Sequence, residues 1–314
     1  MTDKNFVLHL ESKNHSPNTQ KCYIRQVNHF LQWLGNDGTD CTKKEILQYL
    51  EYLKTKHNQQ NITRRNSLIA INHYFDFLTS ENITAFNPAS LLKIRGTKKK
   101  MLYNTYTGEE LEQLYDNFFH SFVRSFDDSH IPKNQRAQSF LSRNRNFIML
   151  GMLIYQGLST HELGLIELAD LDTTKASVRI KATLKSAERK IPLKAAQTGA
   201  LINYLQNIRP QFLSFCEENE KLFLALPESG KAQTSSQSIM GTIKLFTRQV
   251  RSINTSFVNF KQIRASVIAN WLRSEGLRKT QYLAGHRHIS STEKYLPNEL
   301  EGLSEDIARF NPFQ

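Results

Sequence analysis

The sequence has few cysteines, no long apolar run and no secretory leader, and each absence narrows what the protein can be. Its three cysteines, Cys22, Cys41 and Cys216, lie far apart, and no CxxC or Cys/His spacing typical of a metal site includes them. Scattered thiols in odd number predict no disulfide framework and fit a reducing cytoplasm. No apolar run reaches the roughly 18 residues of a membrane span, and the N-terminus lacks a basic-then-apolar leader. We therefore expect a cytoplasmic protein without a membrane anchor.

Acidic residues are also in deficit. The 314 residues include 41 Lys and Arg against 29 Asp and Glu, which gives a formal net charge of +12. Such an excess favours a polyanionic partner, because cationic side chains release the counterions condensed on it. No basic amphipathic anchor for an anionic membrane surface is visible, so nucleic acid is the favoured partner. The length allows two domains, each with a core.

Short helices are predicted for the first domain, over residues 1–95. Ser16–Thr19 and Thr42–Glu45 have the capping residues that begin helices, a third helix is predicted over 63–78, and Asn87-Pro88 opens a short fourth. Four such helices form a small bundle. The Gly-containing, basic stretch that follows, over residues 96–106, predicts an interdomain linker.

The second domain is predicted over residues 107–314, from a capping box at Thr107 onward. Residues 118–142 are polar and irregular and predict a long loop or insertion, whereas residues 147–155 predict a buried helix. Apolar and polar residues alternate over 177–193, which predicts a β-hairpin, and the pattern from Gln197 to about Ile289 is helical. The expected fold is thus mainly α with a small β-sheet.

The last sixty residues carry the most informative pattern. Phe260–Ser266, with Arg264 inside it, begins a helix, and Leu283–His286 and then Thr292–Tyr295 follow. This ordered combination resembles the C-terminal signature of the tyrosine recombinases of the phage-integrase type, in which an H-x-x-R box precedes L-G-H and then T-x-x-Y. The nine residues from His286 to Tyr295 match that pattern.

The resemblance implies both an architecture and an activity. It implies an N-terminal helical, SAM-like core-binding domain and a mixed α+β catalytic domain that clamp double-stranded DNA. It implies a site-specific recombinase or integrase of a mobile element or phage, in which a tyrosine oxygen attacks phosphorus and holds the DNA as a 3′-phosphotyrosyl ester. Arginines then offset the transition-state charge, and a general acid protonates the leaving oxygen, with no cofactor and no metal. Assembly as a tetramer on DNA, with accessory DNA-bending proteins as potential partners, is implied by the resemblance alone.

The same resemblance assigns roles to individual residues. Tyr295 matches the nucleophile, Arg264 the second catalytic arginine, and His286 the late histidine that donates to the phosphate. The family's general-acid lysine lies in the hairpin, before a similar E-R-x-x-P-L ending, which matches Lys185. A shifted strand register would make Lys181 the candidate instead.

Two positions depart from the family pattern. Lys261 stands where the family has the histidine of H-x-x-R, which keeps a donor and a positive charge. Ser159 stands where the segment G-L-R-x-x-E-L has the first catalytic arginine, and its spacing to Glu162 is that of a capping box. We expect Arg143, Arg145 or Lys261 to replace the missing charge.

Further DNA contacts and the tail are less constrained by the sequence. The expected phosphate contacts are basic residues of the third helix and of the linker, namely Arg64, Arg65, Lys98, Lys99 and Lys100. Apolar residues recur at helical spacing after Tyr295 (Leu300, Leu303, Ile307, Phe310). This tail either packs on its own domain or, as the resemblance implies, docks on a neighbouring protomer.

The two departures keep a second function open. A relative that binds DNA but has lost or weakened catalysis would act as an accessory factor. A third interpretation, an enzyme like the type IB topoisomerases, shares the chemistry and differs only in its products.

Overall fold

The computed structural model describes residues 4–96, 104–125, 127–184, 186–226 and 239–296. The chain divides into two compact units, Met1–Met101 and Leu102–Gln314, and each has a hydrophobic core of its own. The described residues are mainly helical with one three-stranded sheet, which confirms the predicted fold class. Among these residues, no helix is both long and apolar enough to cross a bilayer.

Four helices make up the described part of the first unit: α1 (Lys4–Ser12), α2 (Pro17–Leu34), α3 (Lys43–Thr55) and α4 (Asn61–Ser80). Helix α2 begins as the sequence predicts, because Pro17 occupies its first turn and the Ser16 hydroxyl accepts from the backbone N–H of Thr19 at 3.3 Å. It ends at Gly35, which is left-handed. The buried core is largely aromatic and aliphatic (Phe6, Phe30, Ile46, Tyr49, Ile71, Phe75).

The predicted fourth helix at Asn87–Leu92 is wrong. Residues 88–91 form a turn, because the side chain of Asn87 competes with helical hydrogen bonds. Its Oδ1 accepts from the N–H of Ala89 at 2.8 Å, and its Nδ2 donates to Asp76 at 2.7 Å. The fourth helix is instead α1, whose Phe6 and Leu10 are fully buried.

The helices of the second unit are α5 (Gly108–Phe119), α6 (Lys133–Tyr155), α7 (Thr160–Leu163), α8 (Ala195–Asn203), α9 (Arg209–Phe212), α10 (Ile243–Ile253), α11 (Phe260–Ala284) and α12 (Ser290–Glu293). The loop expected over 118–142 is wrong. Helix α5 continues into a π-helical turn, His120–Arg124, and α6 already begins at Lys133. The first half of α6 contains no Gly or Pro and includes the good helix formers Gln135, Arg136, Ala137 and Gln138, so it forms a helix although it is polar.

The run of helices expected after Gln197 is interrupted at residues 213–226. There Lys221 forms an isolated β-bridge with Glu167, which brings this segment back against the start of the sheet region.

The predicted hairpin is confirmed. Strands β1 (Leu171–Asp172), β2 (Ser177–Ile180) and β3 (Arg189–Pro192) form an antiparallel sheet in the order β1-β2-β3. Ile180 pairs with Arg189 in the β2–β3 register. Along β3, Arg189 and Ile191 are buried whereas Lys190 and Pro192 are exposed. The alternation therefore turns an arginine inward.

Helix α11 contains Arg264 near its beginning and is followed directly by Gly285 and His286. It packs against α6 and β3, and it is interrupted at Gly276, where φ is 74° and ψ is 172°. It ends at Gly285, which is left-handed, and α12 follows five residues later.

Candidate active site

Arg264, in the second turn of α11, holds three separate segments together. Its Nη1 donates to the carbonyl of Gly157, just after α6, and to Glu162 Oε2 at 3.2 Å. Its Nη2 donates to the carbonyl of Ala284, at the far end of the same helix, at 2.7 Å. The side chain stays 16% exposed, so the guanidinium is fixed yet still reachable from solvent.

Glu162 lies at the centre of the site. Its Oε2 accepts from the backbone N–H and the hydroxyl of Ser159, both at 2.8 Å, and its Oε1 accepts from Arg189 Nη1 at 2.7 Å. Burial alone would raise the pKa of Glu162, but Arg189 and Arg264 outweigh it and lower this pKa to about 2. The carboxylate is thus ionised between two arginines. The expected capping box of Ser159 and Glu162 is present.

Arg189 is the site residue that the sequence analysis missed. Its side chain is fully buried and, within the described residues, its Nε and Nη2 have no hydrogen-bond partner. A Cβ at Gly285 would collide with its Nη1, and Gly285 also has a φ of +69°, so glycine is strongly favoured there. Two signals were available. Arg189 is the arginine of the E-R-x-x-P-L ending, and its alternation with Ile191 places it on the inward face of a strand, where a charge needs a partner.

His286 is fixed by the segments on either side of it. It forms a β-bridge with Ser186, and its Nδ1 is 2.9 Å from the Thr292 hydroxyl. Burial, followed by the charges of Arg264 and Arg189, lowers the pKa of His286 to about 4. The imidazole is therefore neutral at pH 7.

Tyr295 lies beside these groups. Its ring is nearly parallel to that of His286, with centroids 6.0 Å apart and planes inclined by 11°. It also packs against an apolar cluster of α11 that includes Ile268 and Leu272. Burial lowers the pKa of Arg264, and the Tyr295 phenol is among the groups that act in the opposite direction. Arg264, His286 and Tyr295 thus lie in one site.

The two hairpin lysines differ in what the structure describes. Lys181 pairs with Glu167 and lies 3.6 Å from Asp170 Oδ2, and the hydrogen bond to Glu167 raises the pKa of Lys181. A raised pKa makes this ammonium a weaker proton donor. Lys185 lies outside the described residues. The hydroxyls of Thr183 and Ser186, on its two sides, are 2.9 Å apart, and Arg287 donates to the Thr183 carbonyl at 2.7 Å.

The structure corrects the expectation that Arg145 replaces the missing charge. Its Nη1 donates to the carbonyl of Leu224 at 2.8 Å, its Nε donates to Asn146, and its guanidinium lies over the ring of Phe212. The side chain is buried in this core, and its hydrogen bonds among the described residues go to Asn146 and Leu224 rather than to Glu162.

The other two candidates occupy different environments. Arg143 is buried, and its Nε donates to the carbonyl of Ser139 at 3.2 Å. Lys261 is exposed one turn before Arg264, so the two side chains share a face of α11.

The expected phosphate contacts of the first unit also differ from one another. Arg64 is half-buried and donates to the carbonyl of Leu50 at 3.3 Å and to Asn61 Oδ1 at 2.7 Å. Arg65 is exposed. The predicted linker contacts lie outside the described residues (Lys98, Lys99, Lys100). The same holds for the apolar residues of the tail (Leu300, Leu303, Ile307, Phe310).

Two family models match the chain. One, phage integrase, N-terminal SAM-like domain, matches residues 4–85, and the other, phage integrase family, matches residues 129–301. The second match covers more than half of the 314 residues. The chain belongs to the phage integrase family, the tyrosine recombinases.

Individual relatives match over nearly the whole length. Tyrosine recombinase XerC of Bacillus pumilus is 23% identical, with 99% of this chain and 98% of the relative covered. XerC of Natranaerobius thermophilus is 26% identical, over 87% and 84%. Among solved structures, XerH bound to a palindromic difH substrate has a TM-score of 0.62 at 16% identity, over 84% of this chain and 71% of that one. The Tn1549 transposon integrase in complex with circular intermediate DNA has a TM-score of 0.61 at 16% identity, over 93% and 94%.

Proposed function

We propose that this chain is a site-specific DNA recombinase that cleaves and rejoins double-stranded DNA through a 3′-phosphotyrosyl intermediate on Tyr295. The observation that carries the proposal is the position of the Tyr295 phenol, parallel to His286 and within the electrostatic field of Arg264. The net charge of +12 supports a polyanionic substrate.

The reaction conserves the energy of the phosphodiester. The phenolic oxygen of Tyr295 forms a bond to phosphorus, its proton leaves to water, and the bond from phosphorus to the 5′-oxygen breaks. The 5′-oxygen takes a proton from a general acid, for which Lys185 is our candidate because Lys181 is engaged by Glu167. Attack by the 5′-hydroxyl of another strand reverses these steps and restores the phenol.

Arg264 and His286 stabilise the transition state in this proposal. The pentacoordinate phosphorane carries extra negative charge, which the guanidinium of Arg264 offsets. His286 is neutral at pH 7, because its pKa is about 4, and so it offers one N–H. We assign the Thr292 hydroxyl as donor to Nδ1, which leaves the Nε2–H for a phosphate oxygen.

The proposal extends to domains and partners. Residues 1–95 and 107–314, joined by the linker 96–106, clamp the duplex as core-binding and catalytic domains. Tetrameric assembly is supported by a lambda integrase tetramer bound to a Holliday junction, with a TM-score of 0.61 at 13% identity over 91% of this chain and 76% of that one. A role in a mobile element is supported by the match to the Tn1549 transposon integrase. The proposed partners also include accessory DNA-bending proteins.

The second candidate function is that of an accessory factor that binds DNA with weak or no catalysis. Ser159 favours it, because an uncharged N-cap stands where the family pattern has an arginine. Loss of one charged transition-state donor costs on the order of 10²–10³ in rate.

Covalent trapping separates the two functions. The purified protein first selects duplexes from a randomised library, and nicks are then placed at successive positions of the selected sequence so that cleavage releases a short strand irreversibly. The recombinase proposal predicts a denaturation-resistant protein–DNA adduct that Tyr295→Phe abolishes. Tyr282→Phe is the matched control, since Tyr282 is 53% exposed on the same helix that leads to the site. Tight binding without an adduct at any nick position would favour the accessory factor.

A further inference from the structure

We infer that Arg189 is a positioning residue that maintains positive charge in the active site in the absence of an arginine at position 159. It does so by neutralising Glu162, which leaves the charge of Arg264 for the scissile phosphate. This inference rests on the proposed function and adds to it a residue outside the expected set.

The charge balance around Glu162 is the first support. The carboxylate contacts two guanidiniums, Arg189 at 2.7 Å and Arg264 at 3.2 Å, and the neutral hydroxyl of Ser159. These four side chains carry one net positive charge. Without Arg189 they would carry none, because Glu162 would cancel Arg264 at short range in a medium of low dielectric. The phosphate would then meet a neutral cluster.

The burial of Arg189 is the second support. Its side chain is fully buried, so it acts through Glu162 rather than by touching DNA. Within the described residues two of its nitrogens lack partners, which costs free energy that a buried apolar side chain would not cost. Stability alone therefore does not explain an arginine at this position.

The contact with the His286 segment is the third support. Arg189 lies against Gly285, and the N–H of Ala187, just before β3, donates to the Gly285 carbonyl at 2.8 Å, so Arg189 contacts the segment that holds His286. The charged groups that act on His286 are Arg264 from α11, Arg189 from β3, Glu162 from α7 and Lys294 after α12. Removal of Arg189 takes away one of the cations that disfavour the imidazolium.

The rate of adduct formation tests the inference. Arg189→Gln is expected to lower this rate about 100-fold, as for other transition-state charges. Adding Ser159→Arg is expected to restore most of it, because the second substitution returns a guanidinium beside Glu162. Arg179→Gln is the matched control, since Arg179 lies on β2 of the same sheet, pairs with Glu188 at 2.9 Å and is exposed. This control should cleave at the wild-type rate.

A double variant distinguishes a loss of charge in the site from a failure of Arg189→Gln to fold. Arg189→Gln leaves Glu162 with one arginine fewer, whereas Glu162→Gln/Arg189→Gln removes both opposite charges and keeps the cluster positive. The double variant is expected to cleave at least ten times faster than Arg189→Gln. A folded Arg189→Gln protein with the wild-type rate would overturn the inference, and so would a loss that neither second substitution relieves.

An NMR titration of His286 in the free protein does not depend on DNA cleavage. The pKa of His286 is expected to rise in Arg189→Gln and to stay unchanged in Arg179→Gln. If the wild type forms no adduct, the proposed function fails, and this titration alone decides whether Arg189 controls the charge of the site. A pKa of His286 that is the same in wild type and Arg189→Gln would reject that control.

Discussion

The imidazole of His286 lies parallel to the phenol of Tyr295, with 6.0 Å between the ring centroids. Both rings are set by short-range contacts, since Thr292 accepts the Tyr295 N–H at its carbonyl at 3.0 Å while its hydroxyl lies 2.9 Å from His286. One buried threonine thus links His286 and Tyr295, the two groups that the proposed reaction brings to one phosphate. The site is organised in the free chain, so substitutions around it have definite expected effects.

Gly285→Ala is expected to cost more stability than Gly35→Ala. Both glycines are left-handed caps that follow a helix, so both alanines bear about 1–2 kcal/mol of backbone strain. Only at Gly285 does the new Cβ meet Arg189, whereas nothing lies within 4 Å at Gly35. Thermal melts and adduct rates should show a larger loss of Tm for Gly285→Ala and slower cleavage for this variant alone. Equal effects of the two variants would mean that Arg189 moves aside freely.

Low pH should reduce the free energy of unfolding, because Glu162 then takes up a proton. In the folded protein the pKa of Glu162 is about 2, below the ordinary value of 4.5. The ionised Glu162 therefore stabilises the fold fully above about pH 4.5, and this contribution disappears as the pH falls through 2. The shift corresponds to about 3 kcal/mol. Urea titrations of wild type and Glu162→Gln should therefore differ by about this free energy at pH 7 and converge near pH 2. A difference that does not depend on pH would assign the effect to packing.

Arg64 and Arg65 should separate stability from DNA affinity in the first unit. Arg65 is exposed, and Arg65→Ala should lower the slope of log Kobs against log salt by about one phosphate contact. Arg64 is engaged by Leu50 and Asn61, so Arg64→Ala should cost about 1–2 kcal/mol of stability and leave the slope unchanged. The reverse pattern would assign the phosphate contact to Arg64.

The fold follows from the sequence where local signals agree with packing. Capping residues predicted the starts of α2 and α3, and period-two alternation predicted the hairpin of β2 and β3. The failures have local causes. The side chain of Asn87 prevents a helix that its neighbours favour, and the polar first half of α6 is helical although few apolar residues mark its face.

The spacing of the C-terminal motifs predicted three residues of the site. Arg264, His286 and Tyr295 come together although the first and the last are thirty-one positions apart in the sequence. Arg189 was missed because its importance depends on a carboxylate 27 residues earlier in the chain and on a glycine that follows another helix. These contacts form only when the folded chain brings β3 against α7 and against the end of α11.

The most direct test identifies the residue that becomes linked to DNA. After trapping, nuclease digestion and proteolysis, mass spectrometry locates the peptide that retains a nucleotide on phosphate. We predict a single modified site, Tyr295, among the 11 tyrosines of the chain. A nucleotide on any other tyrosine, or on a serine such as Ser159, would contradict the account.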